Sequence, residues 1–333
     1  MPAGRGRALA TITRVKRSGK GARLLDKRLV IVTGKGGVGK STVSLAIALA
    51  AARQGKRTIL CEVSNQEQLS RAFHRAEVGF HEVELTENLW GISLDPDEAM
   101  REYVLLQLKV KAMRDLLFRS RIFTYLAAAT PGLKELVTIG KIWELALDER
   151  KVKSGRRYDL VIVDAPATGH GVGFLQTPRT FANLARVGPI RDHAEALDAL
   201  IRDPKRTGVA VVALPEEMPV NETSMLEERL ESEIHIGVDR IFCNGLYPER
   251  FSDSESASVA ALVDLENGDE DRSVLVRAAA RAAVSQVRRA RDQRQQLARL
   301  EELCKAPVTT LPFLFSPEVG AEQIRSLSEE LAL

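Results

Sequence analysis

The chain has 333 residues, 44% hydrophobic and 28% charged, room for one large α/β domain or two small ones. It has no run of about 18 apolar residues and no apolar core behind its basic N-terminus, so neither a membrane-spanning helix nor a secretory signal is expected. The net charge of +3 is uneven: residues 1–28 hold nine Lys/Arg against Asp26 alone, which leaves −5 for the rest and argues against a dedicated nucleic-acid binder. The Gly/Ala/Ser-rich basic tail reads either as a solvated, mostly disordered leader or as a contact for anionic lipid or nucleic acid. Cys61, Cys243 and Cys304 are far apart, and two lie in strand-like runs. Reduced core thiols and a cytoplasmic location are the expectation.

The folded part opens with LVIVT (29–33), a short apolar run that predicts a buried parallel strand. GKGGVGK follows, then the Ala/Leu-rich helix STVSLAIALAAARQ. TILCEV is the second strand and LWGISL (89–94) a third, closed by Asp95-Pro96. Residues 96–154 read as a helical insert, too long for a simple crossover. Its apolar residues, among them Tyr103, Leu116, Leu117, Phe118, Ile122 and Phe123, fit either the insert's own core or a docking surface. DLVIVDA (159–165), VAVVAL (209–214) and DRIFCN (239–244) return to strand, the last two separated by the helix VNETSMLEERLESE. The acidic, Ser-rich stretch 251–271 reads as a loop or a poorly ordered insert. A long Arg-rich helix (about 273–303), the strand VTTLPF and a C-terminal helix complete the chain. Alternating strands and helices predict an α/β fold with a doubly wound, mostly parallel sheet. The expected division is a basic tail (1–28), a nucleotide-binding domain (29–95 and 155–333) and the insert (96–154).

GKGGVGKST (34–42) fits G-x-x-x-x-G-K-[ST] between a strand and a helix, the context that a phosphate-binding loop requires. Its backbone from Gly34 through Gly36, Gly37, Val38 and Gly39 would present N–H groups to phosphate oxygens. Lys40 would reach the β- and γ-phosphates, Ser41 would ligate Mg²⁺, and Thr42 would lie near the α-phosphate. In DLVIVDAPATGH (159–170), Asp164 ends an apolar strand and fits the carboxylate that holds the Mg²⁺ water shell. Thr168 and Gly169 follow in a loop able to sense the γ-phosphate. At the second strand's tip stand Glu62 and Ser64, on one face of the strand. Glu62 fits either a catalytic contact to the Mg²⁺ water shell or a structural hydrogen bond.

Lys35, directly after the first glycine, resembles the signature lysine of the deviant form of this loop, which crosses a dimer interface to the partner's phosphates. Charge neutralisation of that kind is worth roughly 10³–10⁵ in rate. Over residues 29–331 the chain resembles the ArsA/GET-type ATPases, the family of arsenite-pump ATPases and tail-anchored-protein targeting factors. DAPATGH resembles the family's DTAPTGH. CNGL (243–246) is similar to its VNQL, which implies that Asn244 reads adenine, and LPFLFSPEVG resembles its C-terminal nucleotide loop, which places Pro312 beside the base. The resemblance implies ATP, Mg²⁺, a dimer with nucleotide at the interface, and opening and closing driven by hydrolysis.

Three departures stand out. Ser64 replaces the family's water-handling aspartate, no Cys-x-x-Cys supports an interfacial zinc, and no Met-rich groove is evident. EVSNQEQLSRAF resembles one branch of bacterial homologues that occur as two different subunits. The expectation is an ATPase subunit in a homo- or heterodimer, an aspartate-bearing paralogue being the favoured partner. Its own hydrolysis would be weak or partner-dependent, and it would act on a client or membrane protein. An arsenite- or anion-export ATPase is one alternative, against which the scattered cysteines count. A positioning ATPase of the ParA/MinD kind, on membrane or nucleoid, is another.

Overall fold

The structure, a computed structural model, describes residues 24–63, 68–73, 78–107, 132–147, 157–166, 168–185, 188–264 and 270–331. Ser64 and the insert's Leu116, Leu117, Phe118, Ile122 and Phe123 lie outside these residues. One eight-stranded sheet runs through the molecule. Its strands are β1 (Leu29–Gly34), β2 (Thr58–Val63), β3 (Val83–Thr86), β4 (Leu89–Leu94), β5 (Leu160–Asp164), β6 (Thr207–Ala213), β7 (Arg240–Leu246) and β8 (Val308–Pro312). Their order is β3-β4-β2-β5-β1-β6-β7-β8, and every neighbouring pair is parallel except β3–β4. The chain thus winds out on both sides of β1, the doubly wound arrangement that puts ligands at the carboxyl ends of the central strands.

Continuous Val/Ile/Leu runs need cover on both faces, and β1, β2, β4, β5 and β6 are buried along their whole length. Alternate residues enter opposite cores. Ile31, Ile59 and Val161 join one core with residues of α4 (Leu133–Ala146), α5 (Thr168–Leu184), α6 (Pro189–Arg202) and α7 (Glu217–Arg229). Val30, Val32, Leu60 and Ile162 join the other with residues of α1 (Lys40–Arg53), α2 (Gln68–Ala72) and α10 (Ala321–Glu330). α3 (Pro96–Gln107) packs on α4, and α8 (Asp253–Ala261) on α9 (Glu270–Leu303). Leu136, Ile139, Ile142 and Leu145 of α4 share the core of the strands, so this helix covers the sheet directly.

Local chemistry sets several boundaries. Asp95 accepts the backbone N–H groups of Asp97 at 2.8 Å and Glu98 at 2.9 Å, and Pro96 takes the first position of α3. The stretch expected to be an acidic loop instead starts α8. Ser252 and Glu255 form a capping box, the serine hydroxyl accepting from the Glu255 N–H and the Glu255 carboxylate from the Ser252 N–H. The edge strand β3 was not anticipated, because VELT is short and half-exposed.

Two residues counted in the basic N-terminal run act inside the fold. Lys27 is buried, ion-paired with Asp239 at 3.1 Å and bonded to the Pro204 carbonyl. The Arg28 guanidinium donates to the carbonyls of Ala146 at 2.9 Å, Leu147 at 2.8 Å and Tyr158, tying the end of α4 to the start of β5. Charge-assisted bonds of this kind contribute about 1.5–3 kcal/mol each at most and are not additive. Arg28→Ala should therefore lower unfolding stability by about 2–3 kcal/mol in urea titration, with Arg28→Lys recovering only part of the loss.

Candidate functional site

The loop from Gly34 to Gly39 joins the central strand β1 to α1. Gly34, Gly37 and Gly39 hold positive φ, at 146°, 83° and 89°. A Cβ on Gly34 would lie 2.3 Å from the Val212 carbonyl oxygen of β6, so the loop leaves the sheet where only glycine fits. A Cβ on Gly37 would meet nothing within 4 Å, so the crest of the loop is open. Val38 is buried in the core and anchors the loop from beneath. Gly39 occupies the N-cap of α1 in the left-handed conformation, and no side chain caps the helix. A 14-residue helix with an uncapped N-terminus under a glycine loop offers N–H groups and positive potential to an anion.

Side chains of both signs converge below the loop. Lys40 curls back, its Nζ donating to the Lys35 carbonyl at 2.9 Å. Burial lowers its pKa, and the Asp164 charge opposes that. Ser41 donates to Asp164 Oδ2 at 2.5 Å, and Ser44, one turn along α1, to Oδ1 at 3.4 Å. Glu62 lies in register with Asp164 on the neighbouring strand. The two carboxylates are only 2% and 5% exposed. Glu62 Oε1 accepts the Gln68 N–H at 2.8 Å, while Oε2 is buried with no hydrogen-bond partner. Burial raises the Glu62 pKa and the Asp164 charge adds to it; the Gln68 N–H, the Ser93 hydroxyl and the Leu69 N–H oppose. Burial also raises the Asp164 pKa, against Ser41, Lys40 and Ser44.

The expected residues fall into three groups. Gly34, Lys35, Gly36, Gly37, Val38, Gly39, Lys40, Ser41 and Thr42 form the loop and the first turn of α1, with Asp164 and Glu62 beneath. Asn244 also reaches the loop, its Nδ2 donating to the Val38 carbonyl at 2.9 Å. Thr168 and Gly169 open α5, and Pro312 ends β8, three strands from β1. Beside Pro312, Phe313 stacks on Tyr247 with centroids 4.6 Å apart, and Phe315 packs edge-on against both rings. Ser44, Thr33 and Glu222 were not anticipated. Ser44 was readable, three residues after Ser41 on one helix face. The Thr33 hydroxyl is buried without a partner, where a Cβ on Gly171 of α5 would lie 2.9 Å from it. Glu222 pairs with Lys35 at 2.7 Å, a contact that no local spacing announces.

The family model of the ArsA-type anion-transporting ATPases matches residues 27–192 and 182–263, which include the loop, both carboxylates and Asn244. The chain belongs to the ArsA ATPase family. Among curated relatives, ATPase BagA of Mycobacterium tuberculosis is 32% identical over 228 residues, 65% of each chain. The chain thus spans about two thirds of that relative's length, at 65%. ATPase GET3 of Podospora anserina is 25% identical over 92% of each chain. An arsenical pump-driving ATPase of Acidiphilium multivorum is 27% identical over 68% of this chain and 41% of its own.

The donor set of this ArsA-type site suits a magnesium nucleotide. Among the described residues no group of three or more His, Cys, Asp or Glu could hold a metal by itself. A hard cation that takes one or two protein oxygens and completes its shell with water and phosphate needs no such group. Ser41 Oγ, Asp164 and the unpartnered Glu62 Oε2 are oxygens of that kind.

The raised Asp164 pKa has a signed consequence. Ionised Asp164 opposes folding, so the penalty is absent at low pH and appears as pH rises through its folded pKa. Asp164→Asn keeps an acceptor for Ser41. It should make the nucleotide-free chain about 1–2 kcal/mol more stable at neutral pH. Thermal melts across pH check this, and the gain should shrink as pH falls into the carboxylate range.

Proposed function

We propose that the chain is a Mg²⁺-dependent ATP-hydrolysing subunit that works as a dimer, opening and closing with its nucleotide to handle a client or membrane-linked partner. The observation that carries this is the convergence of Lys40, Ser41, Asp164 and Glu62 on a glycine-rich loop at an uncapped helix N-terminus. Lys40 and the loop amides would hold the β- and γ-phosphates, with Ser41 and Asp164 on the cation, the latter through water. Thr168 and Gly169 would follow the γ-phosphate from the first turn of α5. Asn244 spends one N–H on Val38, which leaves its second N–H and its oxygen for an adenine edge beside Pro312. Lys35 would serve the phosphates of the partner subunit, a related aspartate-bearing chain or a second copy.

Ser64 cannot take a proton from water as a carboxylate does, and general-base catalysis is worth about 10²–10⁴-fold. Weak or partner-dependent turnover follows on this reading. Glu62 supplies the remaining carboxylate, its unbonded Oε2 supporting a contact to the cation's water shell. The arsenite reading has less support. Cys243 and Cys304 are buried and their thiols are pushed up to about 12, so they stay protonated at neutral pH, whereas soft-metal binding needs thiolates.

Two variants test the proposal in a steady-state ATPase assay. Ser64→Asp should raise turnover of the isolated chain at least about tenfold, and Glu62→Gln should lower it about 10²-fold. Both should keep the thermal stabilisation by Mg-ATP, about 2.7 kcal/mol at a hundredfold excess over Kd. Wild-type turnover near about 10 s⁻¹ with no gain in Ser64→Asp would rule out the weak-hydrolysis reading.

A further inference from the structure

The two lysines of the loop point in different directions. Lys40 folds back onto the Lys35 carbonyl within reach of the Asp164 charge, whereas the Lys35 side chain meets Glu222 of α7, Nζ to Oε1, at 2.7 Å. Both partners keep about a third of their surface in water, 39% and 34%. Helix α7 follows β6, the neighbour of β1 on the side away from Asp164. The pair therefore links the phosphate loop to an element outside the carboxylate cluster.

Glu222 is presented on a fixed helix. Val220 and Leu226 are buried. Asn221 accepts from Arg299 of α9 at 2.6 Å, and Glu227 accepts the backbone N–H groups of Lys305 and Ala306 at 2.9 and 2.8 Å. Lys35 is the adaptable member, since Gly34 precedes it and Gly36 and Gly37 follow. Met218 and Met225 stand four residues before and three after Glu222, on the same side of α7. They are 60% and 63% exposed, so two apolar side chains flank the carboxylate on the helix surface.

We propose that Glu222 is a positioning residue that parks Lys35 on α7 and yields it only to an anion of higher charge, the terminal phosphates of a nucleoside triphosphate. The proposal rests on the reading that Lys35 acts on phosphate. An exposed ion pair is weak, about 0–1 kcal/mol, so the latch sets a threshold rather than a block. A single carboxylate loses Lys35 to a triphosphate, which carries several charges, and competes better against a diphosphate. Glu222 would thus couple release of the lysine to the nucleotide's charge.

Amine acylation read by peptide mass spectrometry follows Lys35 directly in the full chain. Glu222→Gln should raise its labelling rate about 2–5-fold at low salt. Lys56, which has its own partner in Asp26, should not change. The gain should vanish near about 0.5 M salt, and Glu222→Asp should restore protection. In the ATPase assay, Lys35→Ala should lower turnover, and Glu222→Gln should lower the ATP concentration needed for half-maximal rate about 2–5-fold. Unchanged labelling in Glu222→Gln, or a gain that survives high salt, overturns the latch. Wild-type turnover in Lys35→Ala overturns the reading of Lys35 and the proposal with it. A Glu222→Gln rate curve matching wild type, beside an impaired Lys35→Ala, overturns the proposal alone.

Discussion

Two carboxylates buried side by side set the terms for the rest of this molecule. Glu62 and Asp164 end adjacent parallel strands in register; desolvation pushes both pKa values up, and the Asp164 charge adds to the rise at Glu62. A fold keeps such a pair only where other groups offset it or where its charge has a use. The offsets are Ser41, Ser44 and Lys40 from α1, the N–H groups of Gln68 and Leu69 where α2 begins, and the Ser93 hydroxyl of β4. They are incomplete, since Glu62 Oε2 is left without a hydrogen bond. The strain sits at the carboxyl ends of the strands next to β1, where a doubly wound sheet places its ligand.

The phosphate loop solves a second problem at the same place. To turn from the buried β1 into the buried α1, the chain must pass within contact of β6, and the Val212 carbonyl leaves no room for a Cβ at Gly34. The same turn forces Gly39 into the left-handed region, which leaves the helix uncapped. Loop and anion site are therefore one geometric consequence. Asn244 then ties β7 to Val38, so the site's far side moves with the loop. Three separated segments of sequence meet around nine consecutive residues because β1 is central.

How much was legible follows from the range of each interaction. The central strands were readable because full burial demands continuous Val/Ile/Leu runs, and the loop because phosphate binding demands glycine and lysine at fixed offsets. Strand β3 was not readable, since an edge strand needs only one apolar face and VELT buries only Leu85. α8 was hidden by its acidity, although Ser252 and Glu255 carried the capping signal. The Lys35–Glu222 pair joins residues 187 apart in sequence. Nothing in either segment encodes the other, and only the β1–β6 adjacency brings them together. The family membership was legible from the motifs, whereas the cost of burying Glu62 beside Asp164 emerges only from the register.

That cost bears on the meaning of Ser64. On the proposed reading, an aspartate in place of Ser64 would add a third carboxylate to a site where the ionisation of two is already disfavoured. Each added negative charge would raise the pKa values of the others unless a cation or a lysine from outside compensated. Glu62 occupies the inner position, with one oxygen fixed by Gln68 and the other unbonded. On the proposed reading, the chain gives up part of its own water activation for a second inner carboxylate. On the same reading Lys35, held meanwhile by Glu222, is the charge lent to a neighbouring site.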